Sequence, residues 1–112
     1  MRFLFVMDPA ATMLPDKDTT FAFLRSAQGR GHICLHCEPQ DVSLVEGRVV
    51  ARVRSVTVSS TEPFVTLGSP EVVDLTELDA IFVRKDPPFD TAYLHLTQEL
   101  DLVKDQTLVV ND

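Results

Sequence analysis

Apolar and polar positions along the chain fall into three successive rhythms. After Arg2 the run Phe-Leu-Phe-Val-Met7 is unbroken and apolar, the pattern of a strand buried on both faces of a parallel sheet. Asp8-Pro9 ends it, and Ala10–Lys17 reads as a loop, with Pro15 and Asp16 as turn chemistry. Asp18 is a natural N-cap for a helix running to about Arg30. Phe21, Leu24 and Gln28 lie at i, i+3 and i+7 with Ala27 beside them, which gives that helix one mostly apolar stripe. Gly29 and Gly31 supply its C-terminal stop, and His32–Cys37 is the next strand. Strand, capped helix, glycine stop and strand make a βαβ unit, right-handed by default.

The middle of the chain switches to a β pattern. Asp41–Val50 predicts a hairpin with its turn at Glu46-Gly47-Arg48. Ala51–Ser59 is rich in β-branched residues, but its alternation slips from odd (Val53) to even (Val56, Val58), and a bulge or bend near Ser55 would account for that. Thr61–Asp74 holds Pro63, Gly68, Ser69 and Pro70 and reads as irregular, with one short edge strand around Phe64–Leu67. The α/β rhythm then returns. Ala80–Val83 is a buried strand, and Asp90 caps a helix whose stripe is Tyr93, Leu96, Leu100 and Val103. Thr107–Val110 is a final strand. The order predicts a small three-layer, Rossmann-like α/β domain with a mixed, partly parallel sheet and a central β-hairpin insertion.

Composition narrows the class. With 112 residues the chain holds one domain's worth of core, and 7% aromatics, 4 Gly and 7 Pro exclude collagen-like and low-complexity architectures. No apolar run is long enough to span a bilayer, and none resembles an export signal, so a cytoplasmic location is expected. The net charge of −7 argues against nucleic acid and anionic membrane as partners. Cys34 and Cys37 cannot build a disulfide framework. On a strand, residues three apart face opposite sides, which also argues against a shared metal or redox pair. His32, His36 and His95 are scattered, and neither Ser nor Cys stands in a nucleophile signature.

Candidate chemistry collects where strands become charged. In open α/β sheets ligands bind beyond the carboxyl ends of parallel strands. Asp8 follows the first strand there, and Arg84-Lys85-Asp86 follows the strand ending at Val83. Arg84 is the leading candidate, because a guanidinium takes a carboxylate in a bidentate pair. The competing reading is a structural salt bridge to Asp8, Asp86 or Asp90. The Asp86-Pro-Pro88 turn restricts the backbone, and either proline bond could be cis. Arg48, Arg52 and Arg54 share parity and form a small basic stripe, read as a domain contact or solvated face. Met7–Asp18 contains no glycine, so the loop lacks the backbone cradle that a dinucleotide or P-loop phosphate requires.

Phe5-Val-Met-Asp-Pro9, Lys17-Asp18 with Phe21-Ala22, Ala27-Gln-Gly-Arg-Gly31, Val83-Arg-Lys-Asp-Pro-Pro-Phe-Asp90 and Thr107-Leu-Val-Val-Asn111 resemble, in order and spacing, the N-terminal domain of bacterial glutathione synthase. The resemblance covers essentially the whole chain, and Arg84–Asp90 is its most specific segment. It implies a pre-ATP-grasp domain over residues 1–112, followed in the complete enzyme by an ATP-grasp module. It further implies a ligase that joins γ-glutamylcysteine to glycine through an acyl phosphate, with ATP and Mg2+. By position, Arg84 would hold a carboxylate of γ-glutamylcysteine or glutathione, and Asp8, Lys85 and Asp86 would shape the same wall. The chain itself is expected to carry no cofactor, metal or catalytic residue.

The ATP-grasp lysine, the magnesium carboxylates and the mobile glycine-rich loop of that family have no counterpart in these residues. Ligation by the isolated chain is therefore not expected. Two readings stand: the substrate-binding domain of such a ligase, completed by an ATP-grasp domain in cis or in trans, or a stand-alone, non-catalytic binding or interaction module. A domain separated from its partner should expose a large apolar patch and self-associate. A natural small protein should be monodisperse or form a defined symmetric homo-oligomer.

Overall fold

The computed structural model describes residues 1–10, 13, 19–84 and 89–111. The loop prolines Pro15, Pro87 and Pro88, the Asp18 cap and the candidates Lys85 and Asp86 lie outside the described residues. Seven strands and two α-helices follow one another as β1 (Arg2–Met7), α1 (Thr19–Gly29), β2 (Ile33–Cys37), β3 (Val42–Val45), β4 (Arg48–Val58), β5 (Val65–Asp74), β6 (Ala80–Arg84), α2 (Thr91–Asp101) and β7 (Leu108–Asn111). All strands join one sheet in the order β3-β4-β2-β1-β6-β7, with β5 on β4. β2, β1, β6 and β7 are parallel, and β3, β4 and β5 pair antiparallel. The fold is the mixed, three-layer α/β arrangement that the chain's rhythm predicts.

Each face of the sheet has its own core. Leu4 and Val6 of β1, Leu35 of β2 and Ile81 and Val83 of β6 pack under Leu96, Leu100 and Val103 on the α2 side. Phe5, Met7 and Cys34 pack under Phe21, Leu24 and Ala27 on the α1 side. A strand sends alternate residues to opposite faces, so only an unbroken apolar run fills both cores. That is why β1 carries no polar residue between Phe3 and Met7.

The helix ends follow their local chemistry. The Asp90 carboxylate accepts from the Tyr93 backbone N–H at 3.0 Å, capping α2 as expected. At the end of α1, His32 N–H donates to Ala27 O at 3.1 Å and Gly31 N–H to Gln28 O at 3.0 Å, with Gly31 at φ +83°. These two bonds form a Schellman motif, in which a left-handed residue is required. Gly31 therefore makes the stop, and Gly29 is the last helical residue.

The middle differs from expectation in two ways. The hairpin turn is the two residues Glu46 (φ +51°) and Gly47 (φ +79°), both left-handed as a type I′ turn demands. Arg48 already pairs with Val45. The short edge strand expected around Phe64–Leu67 in an otherwise irregular segment is instead a ten-residue strand, β5, paired with β4 from Val50↔Asp74 to Val58↔Val65. Pro70 is tolerated because β5 has no second neighbour among the described strands, so its missing N–H breaks no second ladder. The one cis bond among the described residues is Glu62–Pro63, in the loop before β5.

The register does shift at Ser55, as the slipped alternation suggests. The extra residue, however, lies on β5, which advances three positions from Pro70 to Leu67 while β4 advances two from Arg54 to Val56. Gly68 sits there against Ser55, whose side chain occupies the space a Cβ at Gly68 would need. β4 itself keeps strict alternation. Val49, Ala51 and Val53 enter the α2-side core, and Val56 and Val58 enter the α1-side core. The parity change marks a strand that passes from one helix's cover to the other's.

Candidate functional site

The carboxyl ends of β1, β2 and β6 form one rim, and the register places the candidate residues on it. Met7 pairs with Arg84 across β1 and β6, and Val6 pairs with Cys37 across β1 and β2. Asp8 is the first residue beyond β1, between the two neighbouring strand ends. Arg84 shares parity with Phe82 and so projects to the α1 side.

The threonines that open α1 meet Arg84 there. Its Nε donates to Thr20 Oγ1 at 2.8 Å and its Nη2 to Thr19 Oγ1 at 3.2 Å. Thr20 is buried, and Arg84 is half-buried. Two hydroxyls thus orient the guanidinium along a fixed line, at the cost of two of its five donors. Nothing in the sequence pairs residues 84 and 19–20; the contact exists because β6 and α1 share a sheet face.

His36, to which the sequence gives no role, is buried on the same rim. Its Nε2 donates to the backbone carbonyl of Asp8 at 3.1 Å, which requires the Nε2–H tautomer or the protonated ring. The bond ties the end of β2 to the turn after β1 and fixes where Asp8 leaves the sheet. The structure therefore brings Asp8 and Arg84 to one edge.

Cys34 and Cys37 enter opposite cores, as strand periodicity requires. Burial raises both thiols above their ordinary pKa, and the Asp41 and Glu38 carboxylates push Cys37 further in the same direction. Both are inert, protonated thiols at neutral pH. Among the described residues no three His, Cys, Asp or Glu side chains gather in a metal-ligand cluster. No helix among them is long and apolar enough to cross a membrane.

One part of the α1 face is uncovered. Leu108 and Val110 of β7 pair with Ala80 and Phe82, opposite the α2-side core, and are 62% and 36% exposed. They continue an aromatic cluster in which Phe82 stacks on Phe5 (centroids 5.1 Å apart) and meets Phe23 and Phe3 at 4.9 and 5.7 Å.

Comparison with known proteins identifies the family. The family model of the prokaryotic glutathione synthetase N-terminal domain matches residues 1–112. A glutathione synthetase of Brucella melitensis is 44% identical over 95% of this chain, which covers 34% of that relative. Glutathione synthetases of Rhodopseudomonas palustris and Salmonella typhimurium are 43% and 40% identical, with the same coverage on both sides. The chain thus spans about a third of the length of these curated relatives. An unbroken match from Met1 to Asp112, on a mixed α/β sheet with two covered faces, means that the chain belongs to the family of prokaryotic glutathione synthetase N-terminal domains.

Proposed function

We propose that this domain forms part of the peptide-substrate wall of an ATP-dependent ligase that joins γ-glutamylcysteine to glycine. The observation that carries the reading is Arg84, held at the parallel-strand rim by Thr19 and Thr20, in a chain that matches the synthetase domain throughout. The bonds to Thr19 and Thr20 limit the rotational freedom of the guanidinium, which suits it to a carboxylate. Arg84 would take a carboxylate of γ-glutamylcysteine or glutathione. Asp8, whose exit from β1 is fixed by His36, would line the same wall with Lys85 and Asp86.

The residues described here do not fit a nucleotide or its metal, for want of a glycine cradle and a carboxylate cluster. ATP and Mg2+ belong, on this reading, to the further two-thirds of the relatives' length, which would also cover Leu108 and Val110. The isolated chain would bind without catalysing. In the complete ligase, Arg84→Ala should lower kcat/KM for γ-glutamylcysteine by about ten- to a hundred-fold, the loss of about 1.5–3 kcal/mol for one charge-assisted contact, with ATP binding unchanged. An unchanged kcat/KM removes Arg84 from the site.

The second reading, a stand-alone binding module, is decided by the size of the native polypeptide in source cells. A band near 12.5 kDa would favour it, and a band several-fold larger would carry the ligase reading.

A further inference from the structure

A groove of about 570 Å³ runs between β3 and α2. One wall includes Val42, Ser43 and Leu44 of β3, and the other includes His95 and Glu99 of α2 with Leu102 at its C-cap. Side chains on a strand alternate between faces, so three consecutive residues line one groove only where it follows the strand's edge. Among the described strands β3 pairs with β4 alone, and its other edge carries no ladder. Leu44 shares a face with its partner Val49, on the α2 side, and is 53% exposed. Leu102 on the other wall is 60% exposed.

Among the described residues Glu99 is the one carboxylate that lines the groove, and no lysine or arginine lines it; Gln40, Ser43 and Gln98 are neutral. The Glu99 side chain is half-buried and, among the described residues, has neither a hydrogen bond nor an ion pair. Burial raises its carboxyl above the ordinary value, and His95, one turn earlier on the same helix, offsets that only in part. A partly desolvated carboxylate without a cation of its own favours a cation brought by a ligand.

We propose that the groove takes an extended peptide segment of a partner protein, which adds to the free edge of β3 with a lysine or arginine against Glu99 and apolar side chains on Leu44 and Leu102. Strand addition draws affinity from main-chain hydrogen bonds and specificity from alternate side chains, and a groove between an edge strand and a helix supplies both. The edge offers a row of N–H and C=O groups that another backbone satisfies in series. A small apolar cation would meet Glu99 and leave that row bare. A second copy pairing β3 to β3 would bring Val-Ser-Leu-Val, which has no cation, and would set two chains of net charge −7 together. The groove lies on the α2 side and Arg84 projects to the α1 side, so the proposal does not rest on the ligase reading.

The test is a titration of the 112-residue chain, following its backbone amides by NMR. The probes are the synthetic peptide acetyl-Leu-Thr-Lys-Thr-Leu-amide, the same peptide with glutamate for lysine, and n-hexylamine. As a strand the first peptide presents leucine, lysine and leucine on one face. It should give saturable shifts at Val42–Val45 and along α2 from His95 to Leu102, and should slow amide exchange on the outer edge of β3. It should do so at a concentration at least about ten-fold below that needed for the glutamate peptide or for hexylamine. Glu99→Gln keeps the shape of the groove and removes its charge, and should bring the two peptides within about three-fold of each other. Absence of saturation, equal binding of the two peptides, hexylamine binding as tightly as the lysine peptide, or undiminished discrimination by the folded Glu99→Gln variant would each overturn the proposal. Concentration-dependent shifts at β3 without any peptide would overturn it in favour of a second copy. None of these results bears on kcat/KM in the Arg84→Ala ligase, so the two readings fail separately.

Discussion

The two faces of the sheet are built from different materials. On the α2 side the core is aliphatic and closed at its centre, where Leu4, Leu35, Leu75, Ile81 and Leu96 are each 0–1% exposed, and only its β3 edge, at Leu44, is open. On the α1 side the core is aromatic and open at one edge, where Phe23 is 38% and Leu108 62% exposed. The charged rim, with Arg84 on Thr19 and Thr20 and with Arg52 and Arg54 beside it, belongs to that second face. Aliphatic side chains interdigitate without orientation and fill volume. Aromatic rings stack in preferred geometries and leave flat surface for a further layer. The difference separates the two faces: aliphatic packing fills the centre of the α2 side, while the α1 side carries the exposed aromatic edge and the rim at which Arg84 is proposed to meet substrate.

Truncation tests that division most severely. Leu96→Ala removes a side chain with no exposure from the middle of the closed core and should cost about 2–5 kcal/mol, read by urea or thermal unfolding. Phe23→Ala, at the open edge, should cost about 1 kcal/mol despite deleting the larger group. Comparable losses would mean that both faces carry the fold equally.

Much of this architecture was legible in the sequence because its signals are local. Asp90 before the Tyr93 stripe, Gly31 after Ala27 and Gly47 in the hairpin each determine a bond or a dihedral within five residues of themselves. Only the start of β5 was legible, as the edge strand expected around Phe64–Leu67, because Gly68 and Pro70 signal a loop unless the strand's full pairing with β4 is known, and that pairing is a long-range fact. The site divides in the same way. Asp8 and Arg84 follow from strand ends, which are local. The Thr20–Arg84 and His36–Asp8 bonds join residues 64 and 28 positions apart and depend on the sheet order. The parity slip at Ser55 was visible, but its cause was not: a pattern of burial does not say which helix does the burying.

Gln28 shows how a polar residue in an apolar stripe can link the open face to the sheet. Its side-chain amide donates to Val58 O at 3.0 Å, and its oxygen accepts from Val58 N–H at 2.9 Å. The side chain thereby acts as a one-residue strand against the end of β4. Gln28→Ala leaves both backbone groups without that partner, and water can reach them only in part. The expected loss is about 1–2 kcal/mol, with amide exchange at Val58 accelerated more than at Val53 in the closed half of the same strand. Equal acceleration at both positions would show that the strand opens as one unit, and the two-face division of β4 would fall.

Acid titration gives the smallest effect and separates two carboxylates by sign. The Asp74 carboxylate is lowered below its ordinary value of 3.8 by the Thr76 hydroxyl and backbone N–H, with Arg48 adding a weaker pull. A group depressed in the folded state contributes stability above its unfolded pKa and loses it as pH falls through the folded one. Glu99 on α2 is raised above 4.5 by burial, which the nearby His95 only partly offsets. Its contribution runs the other way: it is present in full below the unfolded pKa and lost as pH rises through the folded one. Asp74→Asn should therefore destabilise the chain at neutral pH, and the deficit should shrink as pH falls below about 4. Glu99→Gln should be neutral or stabilising near pH 7, and any gain should vanish in acid. Unfolding free energies from pH 3 to pH 7 decide between these slopes. If the two variants respond with the same sign, the hydrogen-bonded turn at Asp74 does not set the acid limb, because its bonds to Thr76 are the feature that makes the two carboxylates differ.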